Sequence, residues 1–98
     1  MLNQTVLVGR VATLPTEYIC SEGKFYIMSI VVPRVGSSSK DDTFNVLLTE
    51  NIADNTAKYC AVKDIIGVKG SLRVFDNTLY VLGEKITFLT STHTEGGE

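Results

Sequence analysis

Apolar and polar side chains alternate most clearly over residues 65–75. One parity of this segment carries the apolar residues Ile66, Val68, Leu72 and Val74. The other parity carries Lys69, Ser71, Arg73 and Phe75. A period of two is typical of a strand with one face toward the core and one toward solvent. We therefore predict a strand here, with the second set on a solvent-exposed face.

Four further segments have the β-branched and apolar content of strands: residues 4–12, 24–32, 43–49 and 78–90. Gly9 indicates a bulge or bend in the first, and the stretch around Pro15 is predicted to be turn-rich. The second segment is apolar on both parities, as in a strand covered on two sides. Pro33 should end it, because residues 34–42 are polar and predict a loop.

The remaining local signals predict one helix, one tight turn and a tail. Residues 50–60 place apolar side chains at helical spacing, with Glu50 and Asp54 early, where negative charge complements the helix dipole. Asp76-Asn77 is predicted to be a two-residue hairpin turn, since both residues tolerate the left-handed conformation. Residues 91–98 are predicted to be a disordered tail.

Five strands with one helix between the third and the fourth is the element order of an OB-fold. We predict an all-β domain with one helix, a five-stranded Greek-key barrel over residues 1–90. Barrels of this kind commonly bind oligonucleotides or oligosaccharides, so the order alone leaves the function open.

Composition narrows the class of protein. At 98 residues, with 44% hydrophobic and 20% charged residues, the chain has the size and content of one soluble domain. Its formal net charge of −2 argues against coating nucleic acid by bulk attraction, so any such site must be a local patch. Cys20 and Cys60 lack metal-site spacing and are interpreted as free, buried thiols. The N-terminal segment resembles neither a leader nor a membrane span, which favours a cytoplasmic location.

Enzymatic chemistry finds little support in the residues. The single histidine, His93, lies in the predicted tail, so a positioned nucleophile and base are not expected. Gly67 and Gly70 fall inside a strand and lack the lysine of a phosphate-binding loop. We expect no catalytic site, no metal site and no cofactor.

Three stretches resemble the bacterial and phage single-stranded DNA-binding (SSB) family. They are Met1-Leu-Asn followed by Val6-Leu-Val-Gly-Arg10, residues 51–59 with Ala57 and Tyr59, and Ile65-Ile-Gly-Val-Lys-Gly-Ser-Leu-Arg73. The resemblance implies an OB-fold that binds single strands without sequence preference in DNA replication, recombination or repair, usually as a homotetramer. The chain departs from that family at positions 36, 43 and 49, where Gly36, Thr43 and Thr49 stand in place of stacking aromatics.

The candidate binding residues form two groups. If Asp76-Asn77 is the turn, Arg73, Phe75 and Tyr80 share one face of the hairpin and offer one cation and two rings for base stacking. The alternative is that both rings cover the hairpin or a subunit interface. A possible phosphate track consists of Arg10, Lys24, Arg34, Lys40 and Lys69. For any one of them taken alone, a solvated surface charge is the commoner role than a contact.

Two other functions remain open at this point. The first is an OB-fold replication accessory or primosomal subunit that acts mainly by protein-protein interaction, which the lost aromatics and the charge of −2 favour. The second is a sugar-binding OB domain of the toxin type, which is disfavoured because the sequence shows neither the secretion signal nor the oxidised cysteines that such a domain normally has. The expected partners are single-stranded DNA, a second copy of the chain in a dimer or tetramer, and replication proteins, without a membrane.

Overall fold

The computed structural model describes residues 1–36 and 40–90, and within those ranges the chain forms five strands and one helix. They are β1 (Thr5–Cys20), β2 (Gly23–Pro33), β3 (Asp41–Leu48), α1 (Glu50–Tyr59), β4 (Ile65–Phe75) and β5 (Thr78–Phe88). The strands close into a barrel in the order β1-β2-β3-β5-β4, with β3 and β5 parallel and the other pairs antiparallel. The predicted OB-fold is confirmed. The predicted tail, residues 91–98, and residues 37–39 of the predicted loop lie outside the described ranges.

The barrel interior is filled by aliphatic side chains from every strand. Its most buried members are Val11, Met28, Ile30, Val46, Leu48, Ile66 and Val68. Helix α1 packs against this core through Ala53, and the buried Thr56 hydroxyl donates a 2.7 Å hydrogen bond to the Ile52 carbonyl. Helix α1 has ten residues, and the described ranges contain no helix that is long and apolar enough to cross a membrane.

Strand β1 is longer than its sequence pattern predicts. The turn predicted around Pro15 is wrong, because β1 continues through it to Cys20. The register of β1 against β2 shifts between Val11 and Thr13 and again before Thr16. Proline lacks the N–H that a regular ladder needs, and such irregularities are where a strand accepts it. The irregularity predicted at Gly9 as a bulge or bend therefore lies a few residues further along β1. At Arg10 the ladder between β1 and β4 ends and the ladder between β1 and β2 begins.

The turn of the β4–β5 hairpin forms as predicted. Asp76 and Asn77 have φ of 50° and 66°, and Phe75 pairs directly with Thr78. Positive φ at both central residues gives the backbone twist that a tight antiparallel hairpin requires. The register of the distal half of the hairpin therefore follows from two residues of sequence.

The predicted exposure of β4 is correct near its start and wrong near its end. Lys69 is exposed, as predicted, but Leu72 and Val74 are 44% and 64% exposed, whereas Phe75 is 6% exposed. The physical reason is that β4 pairs with β1 only as far as Gly70, where a Cβ atom would collide with the Leu82 carbonyl oxygen. Beyond that point its other face packs against the β1–β2 hairpin instead of facing solvent.

This packing creates a second apolar cluster on the outer face of the barrel. Leu47, Phe75 and Tyr80 are its buried members, and Tyr18, Cys20, Phe25, Ile27 and Leu82 pack against them. The prediction that β2 is covered on both faces is confirmed, since Met28 faces the barrel core and Ile27 this cluster. Both cysteines are free, but only Cys60 is fully buried, and Cys20 is half-buried.

Candidate nucleic-acid interface

The tips of the β1–β2 and β4–β5 hairpins meet through four aromatic rings. We call Tyr18, Phe25, Phe75 and Tyr80 the aromatic clasp. Phe25 stacks on Phe75 with ring centroids 5.7 Å apart and an interplanar angle of 27°. Tyr18 contacts Tyr80 at 5.9 Å, and Phe75 contacts Tyr80 at 6.1 Å. Each hairpin therefore supplies two rings to one contiguous contact.

Two polar contacts accompany the rings. The hydroxyl oxygens of Tyr18 and Tyr80 lie 2.7 Å apart, and Ser21 Oγ donates to Asp76 Oδ1 at 2.9 Å. The hydrogen bond to Tyr80, followed by partial burial, raises the pKa of Tyr18 to about 12. The tyrosine contact joins strands β1 and β5. The Ser21–Asp76 contact joins the loop between β1 and β2 to the loop between β4 and β5, the two loops that flank the ligand cleft of an OB-fold.

The predicted trio of Arg73, Phe75 and Tyr80 shares one face of the hairpin, because Arg73 pairs directly with Tyr80. The expectation that both rings are open to solvent is wrong: Phe75 and Tyr80 are 6% and 8% exposed. They cover the hairpin, which was the alternative interpretation. Arg73 itself is exposed and has no ion-pair partner among the described residues.

Sequence reasoning did not single out Lys85. Continued without interruption from the turn, the hairpin register would place Glu84 opposite Lys69. The register holds as far as Gly70 opposite Gly83, but a shift between Lys69 and Gly70 then pairs Lys69 with Lys85 instead of Glu84. Two cations thus lie directly opposite each other on the outer face, beside Val6 of β1. Only a signal for the bulge itself could have revealed this pair.

Two of the predicted cations are already paired with carboxylates. Lys24 Nζ lies 2.8 Å from Glu17 Oε2. The guanidinium of Arg34 donates to both oxygens of Asp42 at 2.9–3.1 Å, and these hydrogen bonds hold the pKa of Asp42 below its usual value. An anionic ligand would have to compete with these partners, so both cations are weaker candidates than Arg73.

Arg10 and Lys40 are exposed, and neither has an ion-pair partner in the described part of the chain. Arg10 borders a shallow depression of about 200 Å³ with apolar walls that include Val31 and Ile65. Arg10 pairs with Val31 across the β1–β2 ladder and with Ile65 across the β1–β4 ladder. Its charge therefore lies on the outer wall, away from the aromatic clasp.

Between Arg10 and the clasp, a polar row crosses the outer face of three strands. Thr13 pairs with Ser29, and Ser29 pairs with Asn45. The hydroxyl oxygens of Thr13 and Ser29 are hydrogen-bonded at 2.8 Å. The exposed Thr43 lies on the same face of β3 as Asn45, two residues earlier. This face offers hydrogen-bonding groups but no ring, so the stacking capacity of the outer face is concentrated in the clasp.

Two groups of neighbouring side chains stand out among the exposed apolar residues of the described ranges. The first group lies on β1, where Val6 and Val8 are 65% and 52% exposed. The second lies on the back of the β4–β5 hairpin and consists of Leu72, Val74 and Leu79. Exposed apolar patches of this kind mark contact surfaces more often than free ones.

The barrel order and the helix position define the chain as an OB-fold protein, and solved structures of single-stranded DNA-binding proteins share this fold. The mitochondrial single-stranded DNA-binding protein Rim1 of S. cerevisiae matches with a TM-score of 0.77 at 16% identity, over 93% of this chain and 97% of that chain. The Plasmodium falciparum SSB, in a complex with ssDNA, matches with a TM-score of 0.68 at 22% identity, over 92% and 96%. The dimeric N-terminal domain of the PriB protein of Thermoanaerobacter tencongensis matches with a TM-score of 0.72 at 23% identity, over 91% and 98%.

No protein-family model and no curated protein matches the sequence. The resemblance to the SSB family is thus confirmed as a resemblance of fold, since the structural similarity extends over nearly the whole of both chains. Which ligand this particular barrel takes has to be argued from its own surface.

Proposed function

We propose that this chain binds single-stranded DNA without sequence preference, as a binding module and not as an enzyme. The observation that carries the proposal is the outer face of the β4–β5 hairpin. There Lys69, Lys85 and Arg73 are exposed, lack ion-pair partners among the described residues and lead to the aromatic clasp. Proteins hold single strands with cations that contact the phosphate backbone and aromatic rings that stack on the bases. A row of cations that ends at aromatic rings has both parts.

The spacing of these cations suits a phosphate backbone. Lys69 and Arg73 lie four residues apart on one face of a strand, which is about 13 Å, so they reach different phosphates. Lys85 broadens the positive patch, since it lies opposite Lys69 on the neighbouring strand. The local patch also fits a chain whose formal net charge is −2, because affinity then depends on a few contacts and not on the bulk charge.

The second arm of the proposed site follows the outer face of β1, β2 and β3. Arg10 and the polar row of Thr13, Ser29 and Asn45 would contact sugar and phosphate oxygens there. Lys40 adds a further unpaired charge. Lys24 and Arg34 contribute less, because each must first leave its carboxylate partner.

The biological setting that we propose follows from the resemblance stated above: a role in DNA replication, recombination or repair in the cytoplasm of a prokaryotic or phage-infected cell, alongside replication proteins. We further propose self-association into a dimer or tetramer. The exposed Val6 and Val8 support it, as does the fact that a structurally similar protein, the PriB N-terminal domain, is dimeric.

The test is fluorescence anisotropy of labelled oligo-dT at about 50 mM and about 200 mM salt. Wild-type protein should bind at low salt and weaken steeply as salt rises, since each neutralised phosphate releases counterions. Arg73→Ala should weaken binding, whereas Lys58→Ala, which removes the same charge from α1, should not. Absence of binding at low salt would contradict the proposal and favour a subunit that contacts other proteins.

A further inference from the structure

The tips of the two hairpins that form the aromatic clasp are held together by side chains alone. The strand ladders join β1 to β2 and β4, β2 to β3, β3 to β5, and β4 to β5. In the part of the chain that the structure describes, no backbone hydrogen bond connects the tip of the β1–β2 hairpin to the tip of the β4–β5 hairpin. The tips can therefore separate without breaking any strand pairing of the barrel.

The polar contacts that close the clasp are few and lie at its edge. The Ser21–Asp76 hydrogen bond is exposed, and the Tyr18–Tyr80 hydroxyl pair is only partly buried. Opening exchanges these bonds for bonds to water, so each of them stabilises the closed clasp only modestly. The main resistance to opening is thus the packing of the rings on one another and on their apolar neighbours, and flat nucleobases can replace the ring-to-ring part of that packing.

We propose that the aromatic clasp is a concealed base-stacking site: a single strand opens it, and an unpaired nucleobase enters between Phe25 and Phe75, which stack on each other in the free protein. This inference rests on the proposed function and extends it to the side chains that meet the bases. Arg73, exposed and opposite Tyr80, lies at the mouth of the clasp, where the phosphate of an inserted nucleotide would follow.

The same geometry gives a basis for discriminating single strands from duplex. A base in a duplex already stacks on both neighbours and pairs with a partner, so it gains little from rings that first have to be separated. An unpaired base offers two free faces, and every base has them, which explains binding without sequence preference. The ligand class of the clasp is therefore unpaired nucleobases.

A reversible cross-link between the tips tests the inference. Ser21→Cys and Asp76→Cys, combined with Cys20→Ala, place one thiol on each tip, at two positions whose side chains now touch through the 2.9 Å hydrogen bond from Ser21 Oγ to Asp76 Oδ1. The oxidised protein should bind oligo-dT about tenfold or more weakly than the same protein after reduction, since its open form is withheld. Equal affinity of the two forms overturns the inference and leaves the proposed function standing. Failure of every form to bind, including the wild type, overturns both.

Variants that loosen the clasp and variants that remove its rings should act in opposite directions. Tyr18→Phe deletes the hydroxyl contact but keeps the ring, so it raises the open fraction and should tighten oligo-dT binding about twofold to tenfold. Phe25→Leu removes a stacking ring and should weaken binding. Tyr26→Phe, on the other face of β2, is the matched control and should leave the affinity unchanged. If Tyr18→Phe weakens binding as Phe25→Leu does, both side chains act only as structural supports and the inference is wrong.

Discussion

Lys69 on β4 lies directly opposite Lys85 on β5. Like charges at a cross-strand pair destabilise a sheet, and the regular register would have offered Lys69 the carboxylate of Glu84. The register shift before Gly70 prevents that pairing. The lysine pair costs stability, but it also gives the barrel a surface that one anion can bridge. For this reason we include Lys69 and Lys85 in the proposed DNA-binding site.

The pair predicts opposite effects on stability and on binding. Lys85→Gln removes the repulsion and should raise the free energy of unfolding by about 0.2–1 kcal/mol. The same change should weaken oligo-dT binding and reduce the slope of log affinity against log salt by about 1. Urea denaturation and anisotropy titration measure the two quantities. Lys58→Gln serves as the control. An unchanged salt slope in Lys85→Gln would remove Lys85 from the proposed phosphate path.

The tyrosine pair predicts a late ionisation. The pKa of Tyr18 is raised to about 12 by its hydrogen bond to Tyr80, so the stabilisation that this bond gives is complete below pH 10 and is lost as pH rises through about 12. A near-ultraviolet absorbance titration should show one tyrosinate step near that pH. Tyr80→Phe removes the bonded oxygen and should return the step toward pH 10, whereas Tyr59→Phe should leave it in place. A late step that survives in Tyr80→Phe would contradict the assignment to Tyr18.

The close approach of β4 to β5 at Gly70 predicts that alanine substitution has different effects on stability at two glycines of β4. A Cβ atom at Gly70 would collide with the backbone of Leu82, whereas one at Gly67 would meet its nearest atom, Thr87 Cβ, at an ordinary 3.8 Å. Gly70→Ala should lower the free energy of unfolding by about 2–4 kcal/mol, because backbone cannot yield as a flexible side chain does. Gly67→Ala should change it by less than about 1 kcal/mol. Thermal or urea denaturation compares the two variants. Equal losses of stability would show that the close approach at Gly70 does not constrain the β4–β5 hairpin.

Local chemistry determined much of the fold from the sequence, and long-range packing determined the rest. The Asp76-Asn77 turn and the alternation over residues 65–75 gave the hairpin and its register near the turn, because both depend on neighbours along the chain. The exposure of Phe75 and Tyr80 was predicted wrongly, since alternation shows which side chains share a face but not what packs on that face. Here the covering element is the β1–β2 hairpin, whose rings Tyr18 and Phe25 lie 50 residues or more before Phe75 and Tyr80 in the chain.

The bulges were invisible to the pattern for a related reason. A period of two continues through a register shift on the partner strand, so nothing in residues 65–75 announced that Lys69 would face Lys85. Pro15 was interpreted as a turn because proline is rare in regular ladders, yet the irregular register around it accommodates the residue. The binding role of the predicted cations remains a prediction. The pairing of Lys24 with Glu17 and of Arg34 with Asp42 did not follow from sequence separation alone.

The exposed edge of β1 gives the last prediction. Residues 5–9 pair with β4 but not with β2, whose ladder with β1 begins at Arg10, so one side of this segment has no strand partner in the described ranges. An open strand edge beside exposed valines can pair with the edge of another strand. A twofold dimer uses the same surface on both subunits, so a second copy of β1 fits this edge. Val6→Lys/Val8→Lys should therefore lower the mass measured by sedimentation equilibrium, with the circular dichroism spectrum unchanged. Val74→Lys on the hairpin is the matched control and should keep the wild-type mass. If Val74→Lys dissociates the assembly and the β1 variant does not, the subunits meet at the β4–β5 hairpin, and the β1 edge is free for another partner.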